Sequence, residues 1–166
     1  MKLFVFAAIC CLAAAVSASA HAAPAGGAPP CTPKVTTIHG HKAAVNCGPA
    51  TATLHISGRT YTFRDGFCQQ SKSTGSFQLE LGTIVIGAKG NAGSPDFSML
   101  ISSHLHTAFG SGSVFGADYG GKDLLGGDSL IKAGGTLVKG TFTSSVAAGA
   151  PFTGSWNCHG AVWQAP

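Results

Sequence analysis

The chain has 166 residues, of which only 10% are charged, and its formal net charge at pH 7 is +4. Such a weak and scattered excess of basic residues excludes the dense positive patch of a nucleic-acid-binding protein. With charge far below the average of roughly 25%, the outer surface must consist mainly of Ser, Thr, Gly, Ala and amides. That composition suits contacts with a cell wall, a glycan or an apolar partner.

Residues 1–20 are expected to form a secretory signal peptide. A charged N-terminus precedes an apolar run over residues 3–16, and small residues follow. This is the pattern of an export signal with an A-x-A cleavage site, and the apolar run is too short to span a bilayer. Cleavage fits after Ala20, Ala22 or Ala23. We expect a secreted protein, extracellular or cell-wall associated, without a transmembrane segment in the mature chain.

Residues 21–30 form an Ala/Pro/Gly leader that is expected to be disordered, because it cannot bury a core. Residues 31–166 are long enough for one β-domain with a core of its own. Four cysteines follow the signal peptide, at positions 31, 47, 68 and 158. An even count in an exported chain predicts two disulfides.

The segment from Cys31 to Cys47 is predicted to be a hairpin. Its midpoint falls at position 39, inside His39-Gly40-His41, where a turn is expected. A hairpin centred there sets the two cysteines opposite each other, within reach of a disulfide. We therefore pair Cys31 with Cys47.

Residues 51–68 give the strongest hairpin signal. Apolar and polar residues alternate on both sides of Ser57-Gly58, where glycine supplies a positive φ at no steric cost. Folding about this pair sets Ile56 opposite Arg59 and Leu54 opposite Tyr61. The large apolar residues then share one face, so turn and pattern agree.

Further strands are predicted over residues 77–86, 97–109, 136–144 and 152–158, where apolar residues alternate with polar ones or run together. No helical periodicity occurs outside the signal peptide. The sequence therefore predicts an all-β, antiparallel domain, either a sandwich or a flattened barrel. Between these strands, residues 110–135 contain nine glycines and are expected to form a long mobile loop, with room for one small helical or strand piece near Ser129–Lys132.

The motifs Ile56-Ser57-Gly58-Arg59, Gly66-x-Cys68 and the alternating run over residues 75–82, with Cys158 near the end, resemble the LpqH-type lipoprotein antigens. The resemblance covers residues 51–82 and 136–158. It implies a small exported β-domain with a Cys68–Cys158 bridge and a surface role in adhesion, host contact or lipid association. This chain lacks the lipid-attachment cysteine and adds the Cys31–Cys47 hairpin, so anchoring in a membrane is not implied.

The sequence offers no convincing catalytic constellation. It has no G-x-S-x-G elbow, and its one Glu and scattered Asp give no carboxylate pair for glycoside cleavage. The run from Gly116 to Asp123 resembles a phosphate-binding loop but carries Asp123 where the Mg²⁺-binding hydroxyl belongs. We expect no enzymatic activity and no cofactor.

Several residues are weak candidates for metal binding. A mature N-terminus at His21 would resemble copper-chelating ends, and His104-x-His106 on a strand would share one face. Loop aspartates can bind calcium together with backbone carbonyls, and the Gly-rich stretch supplies three of them. Exposed histidines, solvated loop aspartates and a flexible leader around His21 are the simpler interpretations of these patterns, so no metal is expected. The candidates are His21, His104, His106, Asp118, Asp123 and Asp128.

Taken together, these features favour an exported, non-enzymatic surface or interaction protein of the cell envelope or exterior. The alternative is a binding module for an apolar or glycan ligand, with Phe115 and Leu124 as the candidate contacts of an apolar pocket beneath the Gly-rich segment. A secreted copper-binding protein is a more distant alternative. The expected partners are an envelope component, a lipid, a glycan or a host protein.

Overall fold

The structure, a computed structural model, describes residues 31–85, 95–102, 110–145 and 150–165. The predicted signal peptide, leader and cleavage sites lie outside these residues. The described residues form strands and connecting turns without a helix, which confirms the all-β prediction. In these segments, no helix is long and apolar enough to cross a membrane. The strands are β1 Lys34–Ile38, β2 His41–Val45, β3 Ala50–Ile56, β4 Arg59–Ser71, β5 Phe77–Val85, β6 Asp96–Ile101, β7 Ser111–Tyr119, β8 Lys122–Asp123, β9 Ser129–Gly135, β10 Lys139–Ser144, β11 Phe152–Asn157 and β12 Val162–Ala165.

Eight strands close into an antiparallel barrel in the order β3-β4-β5-β6-β7-β9-β10-β11, with β11 returning to β3. One long-range pairing closes it, Phe152–Asn157 against Thr51–Ile56. Consecutive strands such as β4 and β5, paired through Gly66–Gln70 and Phe77–Leu81, form the rest of the wall. The sandwich alternative was therefore wrong, and the barrel alternative is correct. In a closed barrel, each strand has a hydrogen-bonded neighbour on both sides. Fewer backbone N–H and C=O groups are therefore left unpaired than in an open sheet, which has two edge strands.

Two additions extend this barrel. The β1–β2 hairpin pairs with the far half of β5, through Ala43↔Val85 and Val45↔Thr83. Strand β12 runs parallel to the end of β4, with Val162 opposite Cys68. Strand β8 pairs with β7 at a tight turn.

Both hairpin predictions are confirmed. In β3–β4, Ile56 pairs with Arg59 and Leu54 with Tyr61. Ser57 and Gly58 have φ of 50° and 73°, the two positive angles of a tight turn whose twist matches the flanking strands. In β1–β2, the turn falls at His39 and Gly40.

Two disulfides join the pairs of cysteines expected from the sequence. Cys31 and Cys47 lie with their Cα atoms 6.0 Å apart at the base of the β1–β2 hairpin. Cys68 and Cys158, with Cα atoms 5.8 Å apart, join β4 to the residue that follows β11. The second bridge holds together two parts of the chain that are 90 residues apart in sequence.

Buried side chains occupy the interior of the barrel. Strand alternation points residues such as Leu54, Leu79 and Met99 inward, where each is fully buried. Aromatic rings pack between strands that are not neighbours in the sheet. The ring centroids lie 5.2 Å apart for Phe63–Phe97, 5.8 Å for Phe97–Phe142 and 5.7 Å for Phe77–Trp156. Ligands must therefore meet this barrel mainly from outside.

The prediction of a long loop over residues 110–135 was wrong, except that the short piece expected near Ser129–Lys132 is a strand and belongs to β9. This segment contains β7, β8 and β9, and it buries Val114, Ala117 and Ile131. Glycines in this segment allow neighbouring strands to pack closely against one another. A Cβ at Gly112 would lie 2.5 Å from the carbonyl oxygen of Leu100 on β6, so only glycine fits. The predicted strand over residues 97–109 is shorter, because β6 ends at Ile101 and residues 103–109 lie outside the described residues.

Candidate ligand-binding face

The outer surface of β10, β11, β3 and β4 carries small hydroxyl side chains in register across four strands, and β9 extends the rows with Gly134 and Lys132. We call this surface the hydroxyl face. Its residues alternate with the buried ones, so they all point away from the core. Two cross-strand rows form it, Gly134-Thr141-Ser155-Thr53-Thr62 and Lys132-Thr143-Thr153-His55-Thr60.

The rows form a regular array of hydrogen-bonding groups. Neighbouring strands lie about 4.8 Å apart, and alternate residues along a strand lie about 7 Å apart. A threonine hydroxyl both donates and accepts, and its methyl group gives apolar contact. His55 and Thr60 are already joined, with Nδ1 and Oγ1 2.9 Å apart. The remaining surface suits a ligand that also carries closely spaced hydroxyls.

Charge is divided between the two sides of the barrel. The five strands of the hydroxyl face carry Arg59, Arg64, Lys132 and Lys139, with Asp65 as their one carboxylate. The other barrel strands and β8 carry four carboxylates and one cation, namely Glu80, Asp96, Asp118, Asp123 and Lys122. Arg59 points to the same side of β4 as the core-facing Tyr61 and Phe63, so the cations of the hydroxyl face itself are Arg64, Lys132 and Lys139. With Asp65 as the one carboxylate of these strands, the hydroxyl face has an excess of positive charge.

Three carboxylates meet on the opposite side. Strand register sets Asp96 against Asp118, and Asp118 against Asp123. Asp96 is only 5% exposed. Burial, and then the negative charges of Asp118 and Asp123, raise the pKa of Asp96 from 3.8 to about 7, although a hydrogen bond from the backbone of Asp118 opposes the shift. A neighbouring carboxyl, Glu80 on β5, also has its pKa raised by burial, against a hydrogen bond from the Gln78 amide.

Asp96 was missed by sequence reasoning. Its position at the start of a strand indicates a solvated residue, and only the β6–β7 pairing reveals its neighbours.

The three calcium candidates do not lie together. Asp118 and Asp123 lie together, but Asp128 is exposed in the turn before β9. One oxygen of Asp123 is occupied, since Oδ1 accepts bonds from the backbone N–H groups of Leu125 and Gly126 at 2.9 Å each.

Metal binding gains no support from the geometry. Within the described ranges, no group of three or more His, Cys, Asp or Glu side chains is arranged to hold a metal ion. The candidates His21, His104 and His106 lie outside the described residues.

The two apolar candidates are placed differently from each other. Phe115 points outward from β7 and is 46% exposed. It lies at a β-bulge, where β7 contains one more residue than the paired part of β6. Leu124 is half-buried and packs against the hydrophobic core. Leu124 is therefore a core contact in this arrangement, and Phe115 is an exposed side chain on a strand.

Comparison of the chain with protein-family models, with curated proteins and with solved structures gives no match.

Proposed function

We propose that this chain is an exported, non-enzymatic interaction protein of the cell envelope or exterior, and that its hydroxyl face binds an acidic polysaccharide. The observation that supports this proposal is the alignment of hydroxyl side chains across four strands on the side of the barrel that carries most of its cations. The resemblance to LpqH-type antigens implies a surface role and supports that part of the proposal.

The chemistry of the face matches such a polymer in two ways. Hydroxyl groups of Thr53, Thr141 and Ser155 can exchange hydrogen bonds with sugar hydroxyls, and threonine methyl groups can contact the apolar faces of sugar rings. Lys132 and Lys139 are exposed on β9 and β10 and can pair with uronate or sulfate groups. The carboxylates of β5 to β8 would repel the same polymer, so the charge distribution orients it.

The distribution of apolar residues argues against the alternative, an apolar ligand. The interior is occupied by core side chains, and Leu124 is part of that packing. Within the described part of the chain, the exposed large apolar side chains are Phe115 and Tyr119 on β7, Leu130 on the neighbouring β9, and Val35 on the separate β1, so they enclose no pocket.

The test is binding of the mature protein to a uronic-acid polymer, with a neutral dextran as the reference. We expect saturable binding to the acidic polymer that weakens as salt is raised, because exposed charges are screened. Exchanging both Lys132 and Lys139 for Gln should weaken binding about two- to thirtyfold, since each exposed ion pair contributes roughly 0.2–1 kcal/mol.

The matched control exchanges Lys34 and Lys122 for Gln, which removes the same charge outside the hydroxyl face. This control should bind like the wild type. Equal weakening by both double variants would mean that only net charge matters, and the face would then have no special role. Absence of binding to the acidic polymer would refute the proposal outright.

A further inference from the structure

A polar cleft lies where β4 and β5 separate. These strands pair only over Gly66–Gln70 and Phe77–Leu81. Beyond Gly82, β5 pairs with β2 instead, with Val45 opposite Thr83. The gap between β4 and this added hairpin is a cleft of about 370 Å³, lined among others by Asn46, Thr62, Arg64, Asp65 and Thr83.

A β-bulge directs two charged side chains to this cleft. Pairing of β3 with β4 shifts between Ala50, opposite Gly66, and Ala52, opposite Phe63, so β4 contains one extra residue. Asp65 has a φ of 61° at this point. Arg64 and Asp65 are consecutive, yet both are exposed and both line the cleft. A regular strand would point them to opposite faces, and a bulge re-aims one of them.

Asn46 is the residue that points to a ligand. It is 4% exposed, its backbone N–H donates to the carbonyl oxygen of Gly82 at 2.9 Å, and its side chain lines the cleft. Both side-chain polar atoms, Nδ2 and Oδ1, are buried without a hydrogen-bond partner. Leaving a buried polar group unpaired costs about 1–3 kcal/mol. A ligand that both donates and accepts would remove that cost.

We propose that this cleft binds a single neutral sugar unit through a pair of adjacent hydroxyl groups. The Asn46 amide can donate to one hydroxyl through Nδ2 and accept from the next through Oδ1. Asp65 can accept from sugar hydroxyls, and Arg64 can donate to them. The two side chains carry opposite charges, so their sum favours a neutral ligand.

Other ligand classes fit the cleft less well. An anionic group would gain from Arg64 but would be repelled by the adjacent Asp65 carboxylate. An apolar group would leave both polar atoms of Asn46 unpaired. A neutral polyol meets every one of these groups with a complementary partner.

This site goes beyond the polymer-binding function proposed above and does not depend on it. The hydroxyl face uses Lys132 and Lys139 on β9 and β10, whereas the cleft uses residues around the β2, β4 and β5 strands. Thr62 and Arg64 lie at the border of both, since their strand belongs to the hydroxyl face and both line the cleft. Asn46 belongs to the cleft alone, and Lys132 and Lys139 to the face alone, so variants at these positions distinguish failure of one proposal from failure of the other.

The experiment titrates the mature protein with methyl glycosides of neutral hexoses, and separately with methyl glucuronide, while amide chemical shifts are followed by NMR. We expect saturable shifts at Asn46, Thr62 and Thr83 with a neutral glycoside at millimolar concentration. Exchange of Asn46 for Leu, which is similar in size, should weaken binding at least tenfold. The same variant should be as stable as the wild type or more stable, because it removes an unpaired buried amide.

Two further variants complete the test. Arg64→Gln should weaken binding, whereas Arg59→Gln, at the hairpin end of the same strand, should not. Exchange of Lys132 and Lys139 for Gln should leave glycoside binding unchanged. The proposal is overturned if no neutral glycoside binds, if only methyl glucuronide binds, or if Asn46→Leu binds as well as the wild type. A crystal structure with water alone on Asn46 at saturating glycoside would overturn it equally.

Discussion

Gly154 on β11 lies so close to Phe142 on β10 that a Cβ on the glycine would be 2.2 Å from Cζ of the ring. The two residues are register partners, and both are buried inside the barrel. The same Cβ would be 2.5 Å from the carbonyl oxygen of Thr53 on β3. The missing side chain at position 154 is therefore what allows three neighbouring strands to curve around the Phe142 ring.

Replacement of Gly154 by Ala is expected to destabilise the barrel by about 1–3 kcal/mol or more, because a methyl group would have to displace a ring and a backbone carbonyl. Gly134→Ala is the matched control, since a Cβ there meets nothing within 4 Å. It should be neutral or stabilising by up to about 1 kcal/mol. Urea denaturation of both variants measures this difference, and equal stabilities would contradict the tight packing at Gly154.

Removal of the two disulfides is expected to have unequal effects. Cys68 and Cys158 are 90 residues apart in sequence and close the long loop, whereas Cys31 and Cys47 are 16 apart. On the chain-entropy model, the long-range bridge contributes about 4–5 kcal/mol and the short one about 3 kcal/mol. Double Cys→Ala variants compared by thermal unfolding should show the larger loss for Cys68 and Cys158. A larger loss for the hairpin bridge would mean that the hairpin is more important to the fold than its peripheral position indicates.

The stability of the barrel is expected to fall as the pH rises through 7. Burial and the charges of Asp118 and Asp123 raise the pKa of Asp96 to about 7, so the folded protein holds this proton more tightly than the unfolded chain. The contribution of Asp96 is fully present below about pH 4 and is lost as the pH rises through 7. Its loss should cost on the order of 2 kcal/mol once solvent screening is included.

The Asp96→Asn variant tests this pH effect. Its free energy of unfolding, measured in urea between pH 5 and pH 8, should vary clearly less than that of the wild type. Asp123→Asn removes only one of the neighbouring charges, so it should reduce the pH dependence by a smaller amount. If Asp96→Asn keeps the full wild-type pH dependence, another group is responsible for it.

The elements that the sequence predicts correctly depend on neighbouring residues. In β3–β4, the turn at Ser57-Gly58 and the alternation on both sides lie within a few residues, so they determine the register. The Cys31–Cys47 pairing follows in the same way from a hairpin centred at His39 and Gly40. Such local signals also identify the buried face of each strand.

The elements that were mispredicted or missed depend on pairing between distant segments. Glycines at positions such as Gly112 indicate a loop when taken alone, and they fit a strand only where a neighbouring backbone comes close. The choice between sandwich and barrel depends on β11 meeting β3, about 100 residues away in the chain. The cleft at Asn46 likewise requires the register shift in β4, and no local pattern marks it.

The central claim is that the hydroxyl face binds an acidic polysaccharide, and the most direct measurement is an amide chemical-shift map of the mature protein with a short uronic-acid oligomer. We predict that shifts concentrate on Lys132, Thr141, Thr153, Ser155 and Thr53, and that they weaken as salt is raised. Shifts concentrated instead on β5 to β8, where most of the carboxylates lie, or the absence of any shift at low salt, would contradict the account.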